Sequence, residues 1–488
     1  MNKILVLVIF LLSILYVNTN FLRHLQPGSN TNNFDYSSIS YISKDTSLTN
    51  ADLSSSTSDQ SVVYITSSGV TITDSTLTKS SGDSSNTENS EFYGVNAAVL
   101  VQGGGLTISG GKIETKAKGA NALCATNKGT VQISGTTIIS TGGSSARGLH
   151  ATYGGSITAS GVTVSSTGGS CATLATDRGE GTVTCSGCTL STGGAGSPLI
   201  YSTGQITVSN STTGTSTGAQ AIVVEGKNTA TVKNSNLKCN GYGNRGDSDK
   251  VDKCGVMLYQ SMSGDADSGT STFNCESSTI EILEGSSVYK SAPMFFITNT
   301  DASINLNNCI FNYGSSTFLS AGGTSEWGTS GSNGGVVTLT LKNQKIEGDF
   351  VVDAYSGLTI KLTESSTLKG KINNGKTAAK IEIIIDSTSS IELTGDSYYT
   401  SLTNSGSSNI NVGSYKWEQV EESEITRPSG GQGGQGGPGG EGGPGGPGGE
   451  RPDMPNGSGK PPSSSRNETT SKSNYINISI LLLLFALF

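Results

Sequence analysis

Leu106-Thr107-Ile108, Val131-Gln132-Ile133, Ile157-Thr158-Ala159, Val183-Thr184-Cys185, Ile206-Thr207-Val208 and Ala230-Thr231-Val232 repeat one short phrase, and their first residues stand 25, 26, 26, 23 and 24 positions apart. Within a phrase, alternate side chains point to opposite faces, which is the period of a strand. Between phrases, a return every ~25 residues is the spacing of a solenoid coil. One coil cannot bury its own apolar side, so the coils must stack, each covering the next. The reading is an all-β chain wound as a parallel β-helix, and the crossover preference of parallel strands makes it right-handed.

A second apolar patch precedes each phrase: Ala98-Val99-Leu100-Val101, Ala122-Leu123-Cys124, Gly148-Leu149-His150, Thr173-Leu174-Ala175, Leu199-Ile200-Tyr201 and Ile222-Val223-Val224. Two patches per coil fit two or three strands joined by turns. Insertions distort the spacing between 235 and 335. Beyond them Leu341, Leu362 and Ile383 recur every 21 residues, and Ile346, Leu368 and Ile391 after 22 and 23. The helix is expected to span residues 62–417 in about 14 rungs. Residues 20–61 read as a polar N-terminal cap. Residues 418–465, rich in Gly, Pro and Ser, read as a disordered stalk, since they lack the strict every-third-Gly register of collagen.

Composition agrees. Of 488 residues 67 are Gly and only 14 % are charged, against a usual ~25 % charged. Such a chain suits short strands and tight turns. A net charge of −8 without a basic cluster excludes nucleic acid as the expected partner.

Both ends read as processing signals. Met1-Asn2-Lys3 followed by the apolar run Ile4 to Val17 is a secretory signal over residues 1–19. At the other end Ser463-Ser464-Ser465, a polar spacer and the apolar Ile476 to Phe488 form a GPI-attachment signal, with Ser463 the attachment site and 466–488 removed. The expectation is a protein on the outer face of the plasma membrane, held by a lipid anchor. Asn210, Asn456 and Asn467 open Asn-X-Ser/Thr acceptors for N-glycans. Of the eight cysteines, Cys239 and Cys254 flank a charged insertion, 241–253, and are the expected disulfide. Cys185 and Cys188 enclose a tight turn. Cys124, Cys171, Cys275 and Cys309 are read as small interior hydrophobes.

Several phrases are similar to a known family. Arg147-Gly148-Leu149-His150-Ala151-Thr152-Tyr153, Ala175-Thr176-Asp177-Arg178-Gly179-Glu180-Gly181, Gly255-Val256-Met257-Leu258-Tyr259-Gln260 and Trp327-Gly328-Thr329-Ser330 resemble segments of bacterial secreted right-handed parallel β-helix proteins that bind carbohydrate. The resemblance covers roughly residues 50–417. It implies a pectate-lyase-like helix that binds cellulose or acidic sugars, carries calcium and has no established catalysis.

The search for chemistry starts from scarcity. There are two His, and His150 aligns with Cys124 seven residues before its phrase, so it is expected to stack in a rung interior. No Ser-His-Asp or HExxH arrangement is visible, and an enzyme is not the expected reading. A calcium-dependent lyase is the alternative. For it, Asp177, Arg178 and Glu180 in one turn, with Glu225 and Lys227 in a comparable turn two rungs later, are the nearest match. Oxygen-rich turns suit calcium, so Asp177, Glu180 and Glu225 are the candidate ligands. Sugar binding asks for aromatic platforms with polar edges. Tyr153, Tyr201, Tyr259 and Trp327, with Arg178 and Lys227, are the candidates. An ice-binding face is ranked last, because Gln132 and Lys233 interrupt the outward Thr. The expected function is binding of polysaccharide or cell-surface glycan, or adhesion. A purely structural coat protein is the further alternative.

Overall fold

The phrases form the strands they predict. A computed structural model describes residues 36–135, 137–246, 250–406 and 409–425. Residues 1–35 and 426–488, which hold the expected signal peptide, most of the expected stalk, Asn456, Asn467 and the expected attachment signal at Ser463, lie outside them; residues 418 and 419 of the expected stalk belong instead to the strand Trp417–Gln419. Each coil contributes one strand to each of three parallel sheets, as in Leu123–Thr126, Thr130–Ser134 and Ile138–Thr141. The first sheet has 12 strands, from Ser37–Ile42 to Asp349–Val352; the second has 14, from Thr46–Thr49 to Ser401–Asn404. The third has 10, ending at Ile310–Asn312, and a four-stranded sheet beginning at Lys345–Glu347 follows it. This is a parallel β-helix.

Register places like on like. In the second sheet Leu106, Val131, Ile157, Val183, Ile206 and Ala230 form one inward column. It continues through Phe273, Ile304, Leu339, Ile360 and Ile383. These side chains are buried, at roughly 1.5–3 kcal/mol for each large aliphatic one. Between them the outward Thr107, Gln132 and Thr158 meet solvent. The column also corrects one alignment: Leu341 pairs with Leu362 as expected, but Leu362 pairs with Ile385, and Ile383 belongs beside Ile360. Ile381, Ile383 and Ile385 all face inward, so spacing alone does not choose among them. The set Ile346, Leu368 and Ile391 pairs as expected.

The expected cap is already helix. Ser37–Ile42, Thr46–Thr49 and Asp52–Ser55 form a full rung before residue 62. At its first strand Ser38 and Ser40 occupy places that Ser61 and Val63 hold in the next coil, so the apolar signal is missing. At the far end Ser397–Tyr399 pairs with Trp417–Gln419, and the rings of Tyr399 and Trp417 lie 4.6 Å apart.

The disulfide joins Cys275 and Cys309, not Cys239 and Cys254. Cys239 faces the interior core, whereas Cys254 belongs to a separate cluster with Met257, Phe296 and Trp327. Cys275 faces inward between Val232 and Leu306 in register, and Cys309 stands one rung on, with Cα atoms 6.5 Å apart. Closing a loop of 34 residues restricts the unfolded chain, so Cys275→Ser is expected to lose about 2–4 kcal/mol. Chemical denaturation without reductant measures it; an unchanged midpoint contradicts the bridge.

The outer face of the first sheet is covered over part of its length. By register Leu100, Cys124, His150, Ala175, Tyr201, Val223 and Met257 point outward there. Leu100, Cys124, His150 and Ala175 are nonetheless fully buried. Near Leu100 and Cys124 a short helix, α1 (Thr87–Tyr93), lies against the sheet. The side chain of Asn86 caps it by accepting from the Glu88 N–H, and Gly94 ends it at φ 74°. A Cβ on Gly94 would stand 2.6 Å from Cys124 Sγ, so no larger residue lets the helix end settle this close. Among the described residues, no helix is long and apolar enough to cross a membrane.

Candidate functional site

Where the helix and the insertions leave the first sheet uncovered, they wall a cavity of about 110 Å³. Glu91 reaches it from α1, and Arg147 and Ser170 from the turns that enter the sheet. Tyr201 and Tyr259 rise from its strands, and Asp177 and Asp265 follow those strands. Asn244, Arg245 and Trp327 come from the two insertions.

Arg147 is the electrostatic centre. Its backbone N–H donates to Asn121 Oδ1 at 2.8 Å, which fixes the turn. Nη1 lies 3.2 Å from Glu91 Oε1 and Nη2 3.3 Å from Asp177 Oδ2, with all three side chains nearly buried. Burial alone would lower the guanidinium, but Glu91 and Asp177 hold it above its ordinary value. Burial pushes the Asp177 carboxyl well above the usual range, while Arg147 pulls it back. Asp177 Oδ1 also accepts the Arg178 backbone N–H at 2.9 Å. The Arg178 side chain turns away, reaching Asp265 at 2.8 Å with its guanidinium 3.9 Å above the Phe92 ring.

A second group gathers on Glu225, which is fully buried. Its Oε2 accepts from Tyr201 at 2.5 Å and from Tyr259 at 2.9 Å, and its Oε1 accepts from Ser261. Burial raises the carboxyl, and the three hydroxyls oppose the rise. Trp327 meets the Tyr259 ring edge-on with centroids 4.9 Å apart. Among the described residues the Trp327 indole N–H has no hydrogen-bond partner, nor does Ser170 Oγ, and Arg147 Nη1 makes no aligned hydrogen bond. Arg245, exposed at the rim, forms no ion pair among the described residues.

The residues expected from sequence are thus partly gathered. Asp177, Tyr259 and Trp327 line the cavity, Arg178 braces it through Asp265, and Glu225 supports its two tyrosines. Tyr153 lies beside it, stacked on Tyr93 at 5.4 Å and 6° and 9 % exposed, so it offers no open platform. Gly179, at φ 78°, packs so close that a Cβ would stand 2.4 Å from the Tyr153 ring. Lys227 and Glu180 pair with each other at 2.8 Å, and Lys227 also reaches Asp267 at 3.0 Å.

The three expected calcium ligands do not fit a calcium site. Asp177 is held by Arg147, Glu180 by Lys227 and Glu225 by three hydroxyls. Among the described residues no group of three His, Cys, Asp or Glu is placed to hold a metal ion. His150 aligns with Cys124 as expected and both are buried, but on the outer side of the sheet and not in the rung interior, because register turns them away from the inward Leu123 and Leu149; burial, then Arg147, push the His150 pKa well down. Asn210 is exposed and so accessible to a glycosyltransferase.

Glu91, Arg147, Ser170, Asp265 and Arg245 were not among the expected site residues. For Arg147 a signal existed. Register makes it the one charge in a column that otherwise holds Asn121, Ala172, Pro198, Gln220 and Cys254. Scans against protein-family models, curated proteins and solved structures return no match to this chain.

Proposed function

We propose that this chain is a cell-surface protein, held outside the membrane by a lipid anchor, that binds an acidic polysaccharide in the cavity on the first sheet. The observation that carries the reading is the buried Trp327 Nε1, which has no hydrogen-bond partner among the described residues, beside Arg147 Nη1, which meets Glu91 as an ion pair without an aligned hydrogen bond, and the exposed guanidinium of Arg245 at the rim. A buried donor left unmatched is costly, and a ligand rich in oxygen removes that cost. The rings of Tyr201, Tyr259 and Trp327 supply the apolar faces on which a sugar's C–H groups lie.

Retention on immobilised polygalacturonate and on cellulose, each with and without EDTA, tests the proposal. Retention on polygalacturonate is expected. Trp327→Ala is expected to weaken it by about 10- to 100-fold, as for a buried aromatic anchor. Equal retention of wild type and variant would overturn the assignment to this cavity, and no retention on either polymer would favour a coat protein. Release from intact cells by phosphatidylinositol-specific phospholipase C tests the anchor.

A further inference from the structure

Glu225 presents an arrangement that binding alone does not require. It is a fully buried carboxylate with no cation against it among the described residues, and its two oxygens are taken by Tyr201, Tyr259 and Ser261. Tyr259 and Ser261 are 5 % and 8 % exposed, whereas Tyr201 is partly open and stands in the cavity wall. Tyr201 is therefore the member of the trio that meets a ligand. Asp177 lines the same cavity, as do Arg147 and the indole N–H of Trp327.

We propose that this cavity hydrolyses the glycosidic bond of an acidic sugar, with Tyr201 as nucleophile, Glu225 as its base and Asp177 as the acid. The inference rests on the acidic-sugar reading above, and its chemistry follows from that reading. An acidic sugar repels a carboxylate nucleophile; a phenol is neutral until it reacts, and tyrosine serves in that role in glycosidases acting on acidic sugars. Burial and the Glu225 charge hold the Tyr201 phenol well above its ordinary pKa, so it does not ionise in advance. Its proton passes to Glu225 Oε2, 2.5 Å away, as the bond forms.

The atoms balance in two steps. Tyr201 Oη bonds to the anomeric carbon as the bond from that carbon to the leaving oxygen breaks. The Tyr201 proton goes to Glu225, and the leaving oxygen takes the Asp177 proton. Water then attacks the anomeric carbon and gives a proton to Asp177. The Tyr201 oxygen departs and recovers its proton from Glu225. Two displacements give net retention at the anomeric carbon. Tyr259 and Ser261 are positioning residues: they hold Glu225 so that its Oε2 remains on Tyr201.

The test uses the secreted chain with methylumbelliferyl glycosides of N-acetylneuraminic, glucuronic and galacturonic acid. It also uses polygalacturonate, read by new reducing ends. Wild type is expected to release product from at least one probe. Tyr201→Phe, which keeps the ring, is expected to lose about 100- to 10,000-fold in rate. A 2-fluoro or 3-fluoro glycosyl fluoride of the cleaved sugar is expected to leave an adduct on Tyr201 in peptide mapping. Wild type that is retained on polygalacturonate yet cleaves no probe overturns the inference and leaves binding standing. So does Tyr201→Phe at the wild-type rate, or an adduct on Asp177 instead. Cleavage that requires Tyr201, without retention on either polymer, sustains the inference and overturns the binding assay's choice of polymer.

Discussion

Phe295→Ala is expected to cost about 3–5 kcal/mol, the range for truncating a fully buried phenylalanine, and to open one end of the helix before the other. Phe295 is 0 % exposed, and its ring lies 5.7 Å from Phe273, 5.6 Å from Phe311 and 5.3 Å from Phe318. Phe318 in turn meets Phe350 at 5.8 Å. Large rings fill the interior where Ile and Val fill the rungs before it, and Val256 and Leu319 stand on either side of Phe295 in register. In a stack each coil is held by the coils beside it, and a weakened interface divides the array locally. Hydrogen exchange read by mass spectrometry checks this. Strands from Thr270–Glu276 to Asp349–Val352 are expected to lose protection, while Thr130–Ser134 to Gln205–Ser209 keep it. A uniform loss along the chain would contradict stacking with local cooperativity.

That local character explains what was legible beforehand. Leu106 to Ala230 repeat because each must cover the next, so period and alternation together disclosed a stacked coil of two or three strands, and the third sheet, whose strands such as Ile138–Thr141 carry one inward aliphatic residue each, showed only in the structure. The first coil was hidden because Ser38 and Ser40 carry no apolar mark, although their backbone pairs in the same way. Ile383 was misaligned because three alternate isoleucines all face inward. The site follows the same division. Asp177, Arg178, Glu225, Tyr259 and Trp327 stood out as charges and rings in or beside turns of a chain poor in both. Glu91 did not, since it meets Arg147 from a helix 56 residues earlier, and nothing periodic links the two. The cysteines show the limit most clearly. Cys239 and Cys254 are near in sequence but belong to different packed clusters, while Cys275 and Cys309 are joined by stacking.

Arg147→Met is expected to destabilise the protein by about 3–5 kcal/mol near neutral pH, because it leaves buried carboxylates without their cation. The aliphatic stem is kept, so lost packing contributes little. The penalty is expected to depend on pH, and its sign follows from Asp177. Burial already holds that carboxyl above its unfolded value in the wild type, so the folded state binds more protons across the interval between the two values. Its contribution to stability is therefore present at low pH and is lost as pH rises through the folded value. Arg147 is the group that opposes the rise, so its removal pushes Asp177 higher still and extends the interval toward neutrality. The stability difference between wild type and variant is expected to be largest at pH 7 to 8 and to shrink as pH falls toward 4. Urea denaturation at several pH values measures it. Adding Asp177→Asn to Arg147→Met is expected to recover part of the loss at pH 7, since an amide needs no counter-charge. A difference that stays constant with pH, and a double variant no more stable than the single, would show that Arg147 serves by shape and not by charge. The cavity floor would then owe its position to packing on Glu91 and α1, with the ion pairs a consequence of that placement.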